Sequence, residues 1–420
     1  MSRIFHLWPV VAALFVLAGA PARADEAPPV AAVVHLADDG ARARLSFDLS
    51  APVTARAREI ANPDRIVLDM PAVDFRLRPQ AGRAVARHPD ALIKAFRFGL
   101  FGPGKSRVVI DLARPACVAH VETRRLAPGE TPSRLTLFLR ACAETAFAAA
   151  ALDHAPPPLA AAPAPAPSAP ARGLPVIVLD PGHGGVDGGA YGADGAVEKT
   201  LVYAFAEALR DKLEATGRYR VVMTRVGDQY VSLEDRVAKA RAANAALFVS
   251  IHADTLREST AVSGTTVYTC SNKASDAEAQ RIAESENAAD REAGETTKAA
   301  DPGVADILFD LKRRETRAYA HLFSHGLVAR LGEAETLNHN PERSAGFVVL
   351  KAPDFPSVLV ELGYLSNAHD VANLKSPQWR DKTAEAMRKA VDGFFAKADP
   401  NGEPASHALT ASAPGAKPSP

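Results

Sequence analysis

From Ala143 to Arg172 the composition shifts to alanine and proline, with Ala155-Pro-Pro-Pro158 and Ala162-Pro-Ala-Pro-Ala-Pro167 as its clearest runs. Such a composition favours extended polyproline II over a packed core. At ~3.1 Å per residue, residues 143–172 would reach up to roughly 90 Å when nearly extended. This stretch divides the chain, and the residues on its two sides carry different hydrophobic periods. With 47% hydrophobic residues in 420, there is enough apolar material for two separate cores.

Residues 30–142 alternate with period 2. Ala43-Arg-Leu-Ser-Phe-Asp-Leu49, Arg65-Ile-Val-Leu-Asp69, Ile93-Lys-Ala-Phe-Arg-Phe98 and Arg107-Val-Val-Ile-Asp-Leu112 are short strands separated by turn residues, with no convincing helix. The pattern predicts an all-β sandwich. No cluster of histidines, cysteines or paired carboxylates stands out there, so the domain is expected to bind or orient. Cys117 and Cys142 flank two further strands about the turn Leu126–Thr131. Paired as a hairpin, those strands set the cysteines opposite each other, either as a disulfide or as two buried thiols. Cys270 is left over and reads as a packed thiol.

Residues 174–397 alternate strands with helices. Val176–Leu179, Tyr219–Thr224, Leu247–Ile251, Thr265–Cys270, Phe347–Leu350 and Val358–Val360 read as strands. Thr200–Ala215, Leu233–Ala243, a long segment ending at Leu331 and Thr383–Ala396 read as helices. This rhythm predicts an α/β domain with one mostly parallel sheet flanked by helices. It is interrupted at 271–302 by a charged stretch almost bare of large apolar residues, within which Asp276–Arg291 can form a helix. Asp301-Pro302 then provides a helix start. Residues 399–420 are polar, Pro- and Ala-rich, and read as a disordered tail.

The first residues carry Arg3 and His6, an apolar run from Leu7 to Gly19, and Ala22-Arg23-Ala24. This is the pattern of a secretory signal comprising residues 1–24. Nothing later is long and apolar enough to span a bilayer. The mature chain is expected to be soluble and exported, in a bacterium to the periplasm, which places the cysteines in an oxidising compartment. Lys+Arg and Asp+Glu balance at 49 each, so no net field points to nucleic acid or an anionic membrane surface.

In Val176-Ile-Val-Leu-Asp-Pro-Gly-His-Gly-Gly185 an apolar strand delivers His183 into a glycine turn. His252 directly follows the strand Leu247–Ile251, Glu361 ends the strand Val358–Val360, and Glu198 stands at a helix start. Three strand ends and one helix start therefore send two imidazoles and two carboxylates to the rim where open α/β sheets place their sites. His183, Glu198 and His252 suit a catalytic Zn²⁺ that keeps a fourth position open. Glu361 suits the general base, with Gly363 leaving room for substrate. The glycines lack G-x-G-x-x-G and a trailing Lys-Ser/Thr, which argues against a phosphate loop. His321 and His325, at i and i+4, are a competing metal pair, although no glutamate follows His321. Asp254 and Asn367 are candidates to orient the ligands or to end strands and cap helices. Arg225 reads either as a contact for an anionic substrate or as a surface ion pair. Spacing alone indicates a metal hydrolase.

In Leu179-Asp-Pro-Gly-His-Gly-Gly185, Val197-Glu-Lys199, Ser250-Ile-His-Ala-Asp254 and Pro356-Ser-Val-Leu-Val-Glu-Leu-Gly-Tyr-Leu-Ser-Asn367, the chain resembles the zinc-dependent N-acetylmuramoyl-L-alanine amidases of the periplasmic cell-separation type. The resemblance spans 174–397. It implies zinc on His183, Glu198 and His252, a catalytic Glu361, and hydrolysis of the amide between the lactyl group of N-acetylmuramic acid and L-alanine of the peptidoglycan stem. Residues 30–142 look like the AMIN domain found ahead of such enzymes, a wall-binding, septum-targeting module. The insertion resembles the family's inhibitory segment, with Glu284-Ser-Glu-Asn-Ala-Ala-Asp290 preceding Ile307-Leu-Phe-Asp-Leu311. That likeness implies that Glu286, or failing it Glu284, fills the metal's open position. A periplasmic activator with a degenerate metallopeptidase fold would then release it. A helix so poor in apolar residues is expected to be weakly anchored. The rival expectations are a zinc hydrolase of another wall amide and a wall-binding adaptor without activity.

Overall fold

The computed structural model describes residues 27–83, 85–86, 88–126, 133–153, 173–256, 260–295 and 307–398. The expected signal at 1–24, residues 154–172 of the Pro/Ala stretch, Asp301-Pro302 and the tail at 399–420 lie outside the described residues.

The N-terminal domain contains β1 (Val30–Asp38), β2 (Arg42–Leu49), β3 (Arg56–Ile60), β4 (Arg65–Pro71), β5 (Asp74–Phe75), β6 (Ile93–Gly102), β7 (Lys105–Leu112), β8 (Ala116–Arg125) and β9 (Ser133–Ala141). They form two sheets, in the orders β5-β1-β2-β9-β8 and β3-β4-β7-β6. Period-2 alternation turns Leu45, Phe47 and Leu49 of one sheet toward Ile66, Leu68, Val108 and Ile110 of the other, which builds the sandwich core. Val67 and Val109, on the opposite face of the second sheet, belong to a different cluster.

Two expectations need correction here. The Pro/Ala stretch does not begin as a linker at Ala143, because Glu144–Asp153 form α1 and bury Phe147 in the sandwich core. An alanine run has high helix propensity, and one aromatic anchor suffices to dock it. The hairpin register also sets Cys117 opposite Arg140, not opposite Cys142. The two cysteines are joined diagonally in a disulfide with Cα atoms 5.8 Å apart.

The C-terminal domain runs β10 (Val176–Pro181), α2 (Glu198–Glu214), β11 (Arg220–Met223), α3 (Leu233–Ala242), β12 (Leu247–His252), β13 (Thr265–Cys270), α4 (Ala277–Glu286), α5 (Ala289–Glu292), α6 (Ile307–Gly332), β14 (Leu337–Ala345), β15 (Ser357–Glu361), α7 (Ala368–Lys375) and α8 (Pro377–Ala398). One sheet has the order β11-β10-β12-β15-β13-β14. Its pairs are parallel except β13 with β15. Ile177, Val249 and Val360 pack under α2, α6 and α8, while Val178, Phe248 and Leu359 pack under α3 and α4. Burial on both faces accounts for the unbroken apolar runs of β10, β12 and β15.

Phe347–Leu350, expected as a strand, contains instead a 3₁₀ turn at Val348–Leu350, and the edge strand is β14. A short apolar run has no period that separates strand from turn. Phe347, Val349 and Leu350 are buried in the cluster that also receives Ile282 of α4. Among the described residues no helix is long and apolar enough to cross a membrane.

Candidate metal centre and catalytic site

The parallel register brings the strand ends level. Pro181 of β10 pairs with Ile251 of β12, and His252 of β12 pairs with Glu361 of β15. Beyond β10 the chain turns so sharply that His183 takes φ 58°, a left-handed conformation costly for a residue with a Cβ. A buried polar frame holds it there. Arg236 of α3 donates to Asp180 Oδ1 at 2.7 Å, to Pro181 O at 3.0 Å and to His183 O at 2.8 Å. Asp180 also accepts from Thr224 Oγ1 at 2.6 Å and Ser250 Oγ at 2.7 Å. Gly182 is required by contact, since a Cβ there would lie 2.4 Å from the His252 ring.

Four ligand atoms, one each from His183, Glu198, His252 and Glu286, lie within 4.8 Å of one another, and all four residues are buried. Glu198 Oε2 is 3.2 Å from His183 Nε2, and its Oε1 is 3.2 Å from His252 Nδ1. Glu198 is fixed by accepting from Ala190 N and Ala253 N, both at 2.8 Å. Among the described residues, the buried His183 Nε2 and His252 Nδ1 find no hydrogen bond of acceptable geometry. Two inward nitrogens left unsatisfied beside an anchored carboxylate form a donor set that can hold a metal ion. On its other side His183 Nδ1 meets Asp187 Oδ2 at 2.8 Å, the outer carboxylate that orients a ligating imidazole.

Burial alone would lower the pKa of both histidines, but the carboxylates override it. Asp187, Glu198 and Glu286 hold His183 well above its ordinary value, and His252 is pushed up to about 10, chiefly by Glu286 and Glu198. A site this rich in negative charge favours a cation, whether proton or metal.

Glu361 is fully buried. Its Oε2 accepts from Asp254 N at 3.0 Å, while Oε1 has no hydrogen-bond partner among the described residues. It stands outside the four-residue group. Burial, followed by the charges of Asp254, Glu198 and Glu286, raises its pKa well above the usual glutamate range. Burial and then Glu286 and Glu198 push Asp254 up to about 7.

Glu286 ends α4 and reaches His252 Nδ1 at 3.0 Å and His183 Nε2 at 3.4 Å through Oε2. Glu284, the reserve candidate, is exposed and accepts from Gln280. The segment is not weakly held. Asp276 caps α4, Arg343 pairs with Asp276 and Glu278, and Asn287 bridges Gly346 O and Val348 N. A cleft of about 1270 Å³ runs from His183, Glu198 and Glu286 to Arg83, Arg97 and Phe98 of the N-terminal domain.

Other candidates lie elsewhere. His321 and His325 are both exposed, and His325 faces Glu342. Asn367 caps α7. Gly363 accommodates the Asp370 side chain, which a Cβ would approach at 3.0 Å. Cys270 is a free, half-buried thiol. Arg225, read as a substrate contact or surface pair, is buried and donates to the carbonyls of Pro181, Gly182, Lys199 and Gly227. It braces the turn from below, and burial lowers its pKa to about 10. Asp180, Asp187 and Arg236 were not singled out from sequence, where the only hint was a charge beside the histidine turn.

Comparison with known proteins places the chain in a family. Residues 177–393 match the family model for N-acetylmuramoyl-L-alanine amidase, and residues 33–137 match that for the AMIN domain. N-acetylmuramoyl-L-alanine amidase AmiC of Escherichia coli is 34% identical over 84% of this chain and 86% of its own. AmiC of Neisseria meningitidis is 32% identical over the same shares, 84% and 86%. The solved catalytic domain of CwlV, an amidase from Paenibacillus polymyxa, is 26% identical and covers 53% of this chain and 98% of its own at a TM-score of 0.39. The chain thus belongs to the N-acetylmuramoyl-L-alanine amidase family, with an AMIN domain ahead of the amidase domain.

Proposed function

We propose that the protein hydrolyses the amide between the lactyl group of N-acetylmuramic acid and L-alanine of the peptidoglycan stem, using zinc held by His183, Glu198 and His252. The observation that carries this reading is the enclosed pair of unsatisfied imidazole nitrogens beside the anchored Glu198, with Glu361 adjacent but outside the group. Bound zinc supplies Lewis acidity, polarising a carbonyl and lowering the pKa of a water.

The chain's own residues then have distinct tasks. Asp187 holds the His183 ring through Nδ1, and the Arg236–Asp180 frame keeps its backbone in the strained turn. Glu361, with one oxygen anchored and one free, takes a proton from the attacking water and returns it to the leaving L-alanine nitrogen as the C–N bond breaks.

At rest Glu286 occupies the remaining ligand position, so the enzyme is autoinhibited. Release falls to a periplasmic activator with a degenerate metallopeptidase domain, and the setting is the separation of daughter cells at the septum after export by the N-terminal signal. Mass spectrometry of digested sacculi tests the reaction. Free stem peptides with unsubstituted glycan strands support it, whereas shortened peptides still attached to glycan refute it and point to another wall amide.

A further inference from the structure

The far end of the blocking segment is gripped by the AMIN domain. Beyond Glu286 the chain makes α5, whose last turn closes with Gly294 N donating to Arg291 O at 3.0 Å and turns the carbonyls of Arg291, Glu292, Ala293 and Gly294 toward the AMIN domain. Each meets an arginine on the outer face of the β3-β4-β7-β6 sheet. Arg65 donates to Arg291 O. Arg97 donates to Glu292 O at 2.6 Å, and Arg107 to Ala293 O at 3.1 Å and to Glu295 Oε1 at 3.0 Å. Gly294 O receives Arg107 at 3.4 Å and Arg58 at 3.5 Å. Cations on the last carbonyls of a helix are favoured by its dipole.

These arginines are aimed in advance. Asp69 takes Arg107 in two hydrogen bonds of 2.6 and 3.0 Å, and Asp111 takes Arg97 at 2.9 and 3.1 Å and Arg65 at 2.8 Å. The guanidinium of Arg107 also lies 3.3 Å from the centre of the Phe101 ring, which stacks on Tyr230. Beneath the polar contacts, Ala293 is fully buried against Ile60, Val67, Val109 and Tyr230. The fit is close at Gly294, whose φ is +76° and where a Cβ would fall 2.7 Å from Val67 Cγ2. The amidase domain grips the same turn from the other side, with Tyr230 Oη and Leu233 N both donating to Asp290 Oδ1.

We propose that this arginine-lined sheet is a latch whose occupant is residues 289–295 of the chain itself, and that its closure adds to the amidase domain's own hold on α4 in keeping Glu286 over the metal site. The inference rests on the reading of Glu286 as the blocking residue. It makes the inhibited state a three-body arrangement, in which the AMIN domain restrains the amidase directly. Whatever draws this sheet from the amidase lowers the cost of lifting α4.

Val67 and Val109 point away from the sandwich core, so replacing them opens the interface without emptying the domain that carries them. The test uses the full-length zinc-loaded protein, without activator, as Val67→Glu/Val109→Glu and, from the opposite side, Ala293→Arg. Hydrogen exchange at 289–295 is expected to lose its protection in both variants, and basal sacculus hydrolysis to rise by about tenfold. Retained protection with wild-type hydrolysis in both variants overturns the latch. Glu286→Ala in parallel separates the two readings. If it leaves basal hydrolysis unchanged, the blocking role fails, while exchange at 289–295 still decides whether the sheet holds the segment.

Discussion

Glu286 Oε2 lies 3.0 Å from His252 Nδ1, closer than Glu198 Oε1, which lies 3.2 Å from the same nitrogen. A carboxylate from a surface insertion thus competes on equal geometric terms with one rooted at the start of α2. The difference between them lies in their support. Glu198 is fixed by two backbone N–H groups, whereas Glu286 is held by the packing of α4 and by contacts of the chain that follows it. That asymmetry suits one permanent ligand and one removable one.

Replacing Glu361 with alanine should lower sacculus hydrolysis by about 10²–10⁴-fold, the usual worth of a positioned general base. Zinc content should stay at the wild-type level, because Glu361 stands outside the ligand group. Metal analysis with a sacculus assay checks both. Retained turnover would move the base elsewhere, and lost zinc would make Glu361 a ligand.

Arg236 pairs with Asp180 where both are buried, so Arg236→Ala leaves an uncompensated carboxylate inside the protein. The expected cost is about 3–5 kcal/mol, read from urea denaturation. Zinc affinity should fall with it, since His183 O loses the donor that fixes its turn. Stability and affinity both unchanged would show that the turn holds itself.

Glu335, which accepts from Thr265 Oγ1 at 2.9 Å, is pushed by burial from the usual glutamate value up to about 8. The folded state keeps this proton up to about pH 8, whereas the unfolded chain releases it near the ordinary 4.5. Between those values the folded state binds more protons, so this contribution to stability is lost as pH rises. Glu335→Gln should remove the slope, and its Tm relative to wild type should climb from pH 5 to pH 8. A difference independent of pH would contradict the assignment.

His183, Glu198, His252 and Glu361 were legible because each sits at a boundary of strong periodicity, and parallel strands bring their ends to one rim. The insertion was legible as a helix with a candidate blocking glutamate. Its anchoring was not, because Arg343, Asn287 and Asp290 find partners far away in sequence. The role of the arginines of β4, β6 and β7 was not legible, since period 2 separates two faces without saying what covers the second. The α1 helix was hidden in a run of alanine and proline, and β14 lacked alternation, being an edge strand with polar residues. The turn at Phe347 looked like a strand because its apolar residues face a helix from the insertion, which local pattern does not reveal.

The most direct measurement is basal hydrolysis of purified sacculi by full-length, zinc-loaded Glu286→Ala, without any activator, beside the wild type. If Glu286 fills the open position of the site, the variant should release stem peptides at a rate at least about tenfold higher, with zinc still bound. A wild-type rate from a folded, zinc-loaded variant would show that Glu286 does not block the site.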